Sequence, residues 1–98
     1  MAETDSKIVD LPPVVDLDAL DGVRDRLLDA IDAGPVVVSA GNVQRVSTNA
    51  LFLLLSAAET ARRSNTTFTI GSVSASLAAA IERLGLGQHF APLLKGEH

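Results

Sequence analysis

The chain has 98 residues, 47% hydrophobic and 20% charged, with four prolines and a net charge of −4, which is the size and composition of one packed domain and not of a disordered tail. Its aromatics are Phe52, Phe68 and Phe90, and it has no Trp, Tyr or Cys, so disulfides, thiolate metal sites and thiol catalysis are excluded, and stacking on bases or sugars is disfavoured. Nucleic acid is disfavoured too, because a phosphate backbone is held mainly by clustered Lys and Arg.

The charge is unevenly placed. Residues 1–33 carry nine Asp/Glu against three Lys/Arg, and residues 34–98 three against five, which predicts one acidic face on a mildly basic remainder. The opening MAETDSKIVD is acidic and has no apolar segment. It is expected to be neither a secretory signal nor a membrane anchor, and a bacterial-type cytoplasm is the expected location.

In chain order, residues 1–6 are expected to be a disordered tail, 7–94 a domain and 95–98 a second tail. Lys7 to Leu11 alternates as a short strand, Pro12-Pro13 breaks it, and Val14-Val15 forms a second extended piece. Asp16-Leu17-Asp18 offers a side-chain acceptor for the open amides of a helix start. In that helix Leu20, Val23, Leu27 and Ile31 make one apolar stripe, and Gly34-Pro35 stops it at about Ala33.

Val36-Val37-Val38 is β-branched throughout and apolar on both faces, which predicts a central strand covered on both sides. Gly41 to Val46 is expected to be a connection, after which Ser47 caps a long helix from Thr48 to about Arg63. A helical wheel puts Leu51, Leu54, Leu55, Ala58 and Ala61 on its buried face, with Thr48, Phe52, Ser56, Glu59 and Arg63 on a partly exposed flank. Asn65-Thr66-Thr67 has the form of a glycosylation sequon, but without an export signal it is expected to be a polar turn.

Thr67 to Ile70 alternates as a further strand, Ser72 to Ser76 leads into a third helix with Leu77, Ile81 and Leu84 inward, and Gly85 closes it. Leu86, Phe90, Leu93 and Leu94 are expected to pack a last short segment. The predicted fold class is a small α/β sandwich with a mostly parallel or mixed central sheet of about four strands, helices packed on it, and right-handed crossovers.

Catalytic equipment is scarce. The sequence has no glycine-rich phosphate loop, no His-Glu helix motif and no nucleophile elbow, and its two histidines are His98, the last residue, and His89 beside Phe90. No enzyme activity, metal or cofactor is expected. Taken alone, Ser47 and Thr48 are most simply the cap of a helix, and Phe52 is equally an edge-of-core residue or an interface anchor.

The stretch Val43-Gln44-Arg45-Val46-Ser47-Thr48-Asn49-Ala50-Leu51, followed by Phe52-Leu53-Leu54-Leu55, resembles the signature of STAS domains, the anti-sigma-factor antagonist family. In that family an Asp, a phosphorylatable Ser or Thr, a small residue and a Gly precede a Leu-rich helix. Here Thr48 takes the acceptor position, Ser47 replaces the Asp, Asn49 takes the small-residue place and Ala50 replaces the Gly. The resemblance runs from Lys7 to Leu94 and includes Ile81-Glu82-Arg83-Leu84-Gly85-Leu86, which is similar to the family's closing helix and turn.

The resemblance implies a non-catalytic signalling protein that works by partner switching with a serine/threonine or histidine kinase, an anti-sigma factor or a chemotaxis-type signalling protein. Thr48 is then the candidate phosphoacceptor, and Ser47, Asn49, Phe52 and Ser56 the candidate partner-binding residues. The alternative it implies is a STAS subunit that stabilises a lipid-transport ABC ATPase complex through the same helix. An exposed Phe52 also makes a homodimer plausible.

Overall fold

The computed structural model describes residues 7–94, so the two expected tails lie outside the described residues. In chain order the elements are β1 (Lys7–Asp10), β2 (Val14–Val15), α1 (Leu17–Ala33), β3 (Val36–Ser39), β4 (Arg45–Val46), α2 (Thr48–Arg63), β5 (Phe68–Gly71), α3 (Ala75–Arg83) and α4 (Gly87–Phe90). The Cα radius of gyration, 12.5 Å, is close to the ~13 Å of a compact fold of about this length.

The sheet order is β1-β3-β5, all parallel, with Val9 beside Val38 and Val38 beside Ile70. A separate parallel pair joins β2 to β4, with Val14 beside Arg45 and Val15 beside Val46. The two sheets are one ladder with an interruption. Pro12-Pro13 breaks it on one side, and the turn at Gly41 and Asn42 offsets the chain on the other. Leu11 N–H still reaches the Ser39 carbonyl at 3.0 Å, and the Pro13 carbonyl accepts the amides of Gln44 at 2.7 Å and Arg45 at 3.0 Å. The expected connection at residues 41–46 therefore ends in a strand, and the expected single sheet of about four strands is five strands divided three and two.

Two successive crossovers advance across the sheet in the same direction, and their common right-handedness places α1 and α2 on one face, where they pack on each other. Val9, Val36, Val38, Phe68 and Ile70 point to that face and are buried. The opposite face carries Ile8, Val37 and Thr69, of which Ile8 is exposed and the others half-buried. Val37 thus corrects the expectation of a strand covered on both sides. The residue alternation of the sheet sends it away from the helices, and α3 packs chiefly against β4 and α4.

Asp16 caps α1, its carboxylate accepting the Ala19 amide at 3.3 Å. Gly34 closes that helix at φ 142°, a conformation suited to glycine, with its N–H on the carbonyls of Ala30 and Ile31. Val23, Leu27 and Ile31 of the predicted stripe are buried, Leu20 is half-buried, and Ala30 joins them.

In α2 the buried residues are Ala50, Leu51, Leu54, Ala57 and Ala61, whereas Leu55 and Ala58 are half-buried. The helix is rolled toward α1 relative to the wheel's expectation. Ala57 faces Leu27 across the α1–α2 groove, and Leu55 turns toward Leu93. Of the sequon, Asn65 lies in the turn after α2, in left-handed backbone at φ 60°, while Thr66 and Thr67 lead into β5.

In α3, Leu77 and Ile81 are inward as predicted, but Leu84 is 44% exposed. Its place explains the difference: the helix ends at Arg83, Leu84 is the closing residue, and Gly85 at φ 72° swings the chain away. The last segment forms α4, with Phe90 fully buried, Leu86 and Leu93 half-buried, and Leu94 bridged to Ile70 yet 38% exposed.

Candidate functional site

The short β2–β4 ladder fixes where two helices begin. Val15 and Val46 are register partners, and the next residue on each strand is a helix cap, Asp16 for α1 and Ser47 for α2. The Ser47 amide bonds the Val15 carbonyl at 2.9 Å, which ties the two starts together. Both helices leave the same end of parallel strands, so α1 and α2 run side by side in the same direction.

The Ser47 hydroxyl is half-buried and accepts the Ala50 amide at 3.1 Å. That bond satisfies one of the donors every helix leaves open in its first turn. Thr48 and Asn49 are exposed directly beyond it. The first turn of α2 carries no acidic residue, so the partial positive charge of the helix start is not neutralised from within its own turn. Arg45, also exposed, precedes Thr48 by one turn-length of chain.

Phe52 lies one helical turn after Thr48 and is 52% exposed. Ser56 follows one turn later on the same flank, also exposed, with its carbonyl accepting the Thr60 hydroxyl at 3.1 Å. Thr48, Phe52 and Ser56 therefore form a continuous exposed stripe, with Asn49 beside it. Glu59 ends the stripe, bonded to Arg62 and, at 3.3 Å, to Arg63. The hydrogen bond from the Arg62 guanidinium holds its carboxyl below the usual carboxylate range.

Two further apolar residues share this side of the molecule and escaped the reading of the sequence. Leu17, the first residue of α1, is 65% exposed, and Leu28 is 43% exposed. Leu28 and Arg24 of α1 line a groove of about 120 Å³ with Leu53, Ser56 and Thr60 of α2. The signal was present in the spacing of Leu17, Arg24 and Leu28 along one flank of α1, but only the packing of α1 on α2 gives that flank a neighbour.

An exposed aromatic among small polar side chains suits binding. His89 is exposed and lines a groove with Leu55, Glu59 and Arg62 at the far end of α2 from Thr48. Among the described residues no three His, Asp or Glu side chains gather as a metal-ligand set. Among them, too, no helix is long and apolar enough to cross a membrane.

A family model described as "Mlab, STAS domain" matches residues 2–95. A solved structure described as the crystal structure of a sulfate transporter family protein from Wolinella succinogenes is similar in fold, with a TM-score of 0.69 and 18% identity over 96% of this chain and 79% of that one. No curated protein sequence matches the chain.

Proposed function

The chain belongs to the STAS family, in its "Mlab, STAS domain" branch, and from that membership we propose that it is a non-catalytic binding subunit whose docking surface is the start of α2. STAS domains mediate protein–protein interaction. The observation that carries the reading is the exposed stripe Thr48–Phe52–Ser56, in which a half-exposed aromatic stands one turn from a hydroxyl at a helix start. Phe52 is the anchor, Asn49 and Ser56 supply polar contacts, and Ser47 holds the helix start in shape.

Thr48 is the point of control. A phosphate there adds about −1.5 to −2 charges beside an apolar anchor, enough to reject a partner that was docked on Phe52. The helix start tolerates it, because its open amides and partial positive charge favour an anion. The partner is a kinase, an anti-sigma factor or a chemotaxis-type signalling protein.

The departures at Ser47, Asn49 and Ala50 from the antagonist pattern, together with the branch of the family that the chain matches, favour a second reading. In it the same surface holds a lipid-transport ABC ATPase constitutively. Affinity capture from the source cells, with wild type, Thr48→Glu and Phe52→Ala as parallel baits and mass spectrometry as readout, separates the two. Loss of a signalling partner from both variants is the expected result for switching. An ATPase lost from Phe52→Ala but kept by Thr48→Glu establishes the constitutive subunit, and equal capture by all three baits overturns the assignment of the surface.

A further inference from the structure

On the far side of α1 from this surface, the edge strand β1 presents an unusual combination. Among the described residues no strand pairs with its outer side. The amides of Lys7 and Leu11 bond inward, to Pro35 and Ser39. Since successive residues of a strand turn their peptide groups to opposite sides, the N–H and C=O of Ile8 and Asp10 point outward. Edge strands are usually blunted by charge, proline or brevity. Lys7, Asp10 and Pro12-Pro13 do this at the ends, yet Ile8 between them is 69% exposed.

Beside this edge runs an open groove of about 490 Å³ whose other wall is the flank of α1 bearing Arg26, Asp29 and Ala33. Arg26 and Asp29 stand at the level of the β1 residues Lys7 to Asp10. We propose that this edge is self-complementary and that two copies of the chain pair through it, β1 against β1 in antiparallel array, to make one continuous sheet.

The argument is one of symmetry and charge. Pairing of identical surfaces places a two-fold axis between them. With the axis at Ile8, the outward peptide group of Ile8 exchanges two hydrogen bonds with that of the second copy, and the two exposed isoleucine side chains become cross-strand neighbours on the open face of the sheet. The same axis sets the two α1 helices antiparallel, bringing Arg26 of each against Asp29 of the other. Gly22 and Ala33 on that flank leave room for helices to approach to the ~8 Å minimum of close packing. An extended peptide of another protein satisfies the strand edge alone. Only a second copy also pairs Arg26 and Asp29 reciprocally.

Sedimentation equilibrium of the purified full chain up to millimolar concentration tests this, together with four variants. Ile8→Pro removes an N–H that faces outward and leaves the bonds to β3 intact, so it should abolish dimerisation with unchanged helical signal and unfolding midpoint. Arg26→Asp should weaken the dimer roughly tenfold or more by setting like charges together. The exchange Arg26→Asp with Asp29→Arg should restore it, a result that a merely damaged fold does not give. A wild-type chain that stays monomeric, a dimer indifferent to Ile8→Pro, or failure of the charge exchange to rescue overturns the proposal. So does a dimer lost in Phe52→Ala but not in Ile8→Pro, which moves self-association to the α2 stripe. Partner capture through Thr48 is independent of each of these outcomes.

Discussion

Leu54 and Phe52 sit two residues apart on α2 and have opposite tasks. Leu54 is 2% exposed and its removal opens a cavity in the layer between helices and sheet, whereas Phe52 is 52% exposed and holds no comparable place. Leu54→Ala should therefore lower stability by about 2–5 kcal/mol, read from chemical denaturation. Phe52→Ala should change it far less while weakening partner capture. The same midpoint for Leu54→Ala and wild type would show that the buried face of α2 is misassigned. Thr48, exposed at the helix start, was legible from the sequence because a cap residue and a wheel place it without knowledge of neighbours. Leu17 and Leu28 were not, because exposure on a flank means little until the adjoining helix is known.

Each helix start is a small device with its own strength. The Ser47 hydroxyl makes one capping bond, to Ala50. The Ser74 hydroxyl accepts the Leu77 amide at 3.1 Å and also donates to the Val43 carbonyl at 2.6 Å, across a part-buried contact. Ser47→Ala should cost about 0.5–2 kcal/mol. Ser74→Ala should cost roughly 1 kcal/mol more, since it also leaves a carbonyl without its partner. Urea titrations of the two variants in parallel give the order directly, and a larger loss for Ser47→Ala would reverse the ranking. At this scale the Ser47 cap, Pro12-Pro13, Gly34 and Gly85 were readable, since each acts through local backbone chemistry, whereas Ser74 was not singled out among the residues from Ser72 to Ser76. β4 was hidden: two residues between a turn and a cap show no periodicity, and Arg45 and Val46 become a strand only because β2 lies alongside. The roll of α2 was hidden for a related reason. A wheel weights leucine above alanine, yet it is the small Ala50 and Ala57 that are buried, and Ala57 sits close against Leu27 of α1.

For the molecule as a whole, the core runs without a break from Val9 of β1 to Phe90 of α4. Phe90 is fully buried although it lies near the end of the described chain, and its amide and carbonyl are engaged by Leu86, Leu93 and Leu94. The closing segment is therefore part of the folding unit. Phe90→Ala should lower stability by about 3–5 kcal/mol and shift one cooperative transition. Circular dichroism and calorimetry should give coincident curves, and a separate early transition for residues 84–94 would contradict that continuity. The class of fold was legible at this level because helices between strands imply parallel crossovers. The division of the ladder and the open sheet face were not, because both depend on how strands are offset once paired.

The uniform direction of the strands has a practical consequence. Lys7 enters at the amino ends of the strands, while α2 departs beyond their carboxyl ends, after β4 has extended the ladder past β3. The beginning of the described chain and Thr48 accordingly lie on opposite rims. A probe or solid support attached ahead of Lys7 leaves Thr48 and Phe52 turned toward the bulk solution, so a molecule immobilised by that end still offers the stripe proposed for docking. The same attachment crowds the outer edge of β1, which makes tethered and untethered preparations a simple pair for distinguishing events on the two sides of α1.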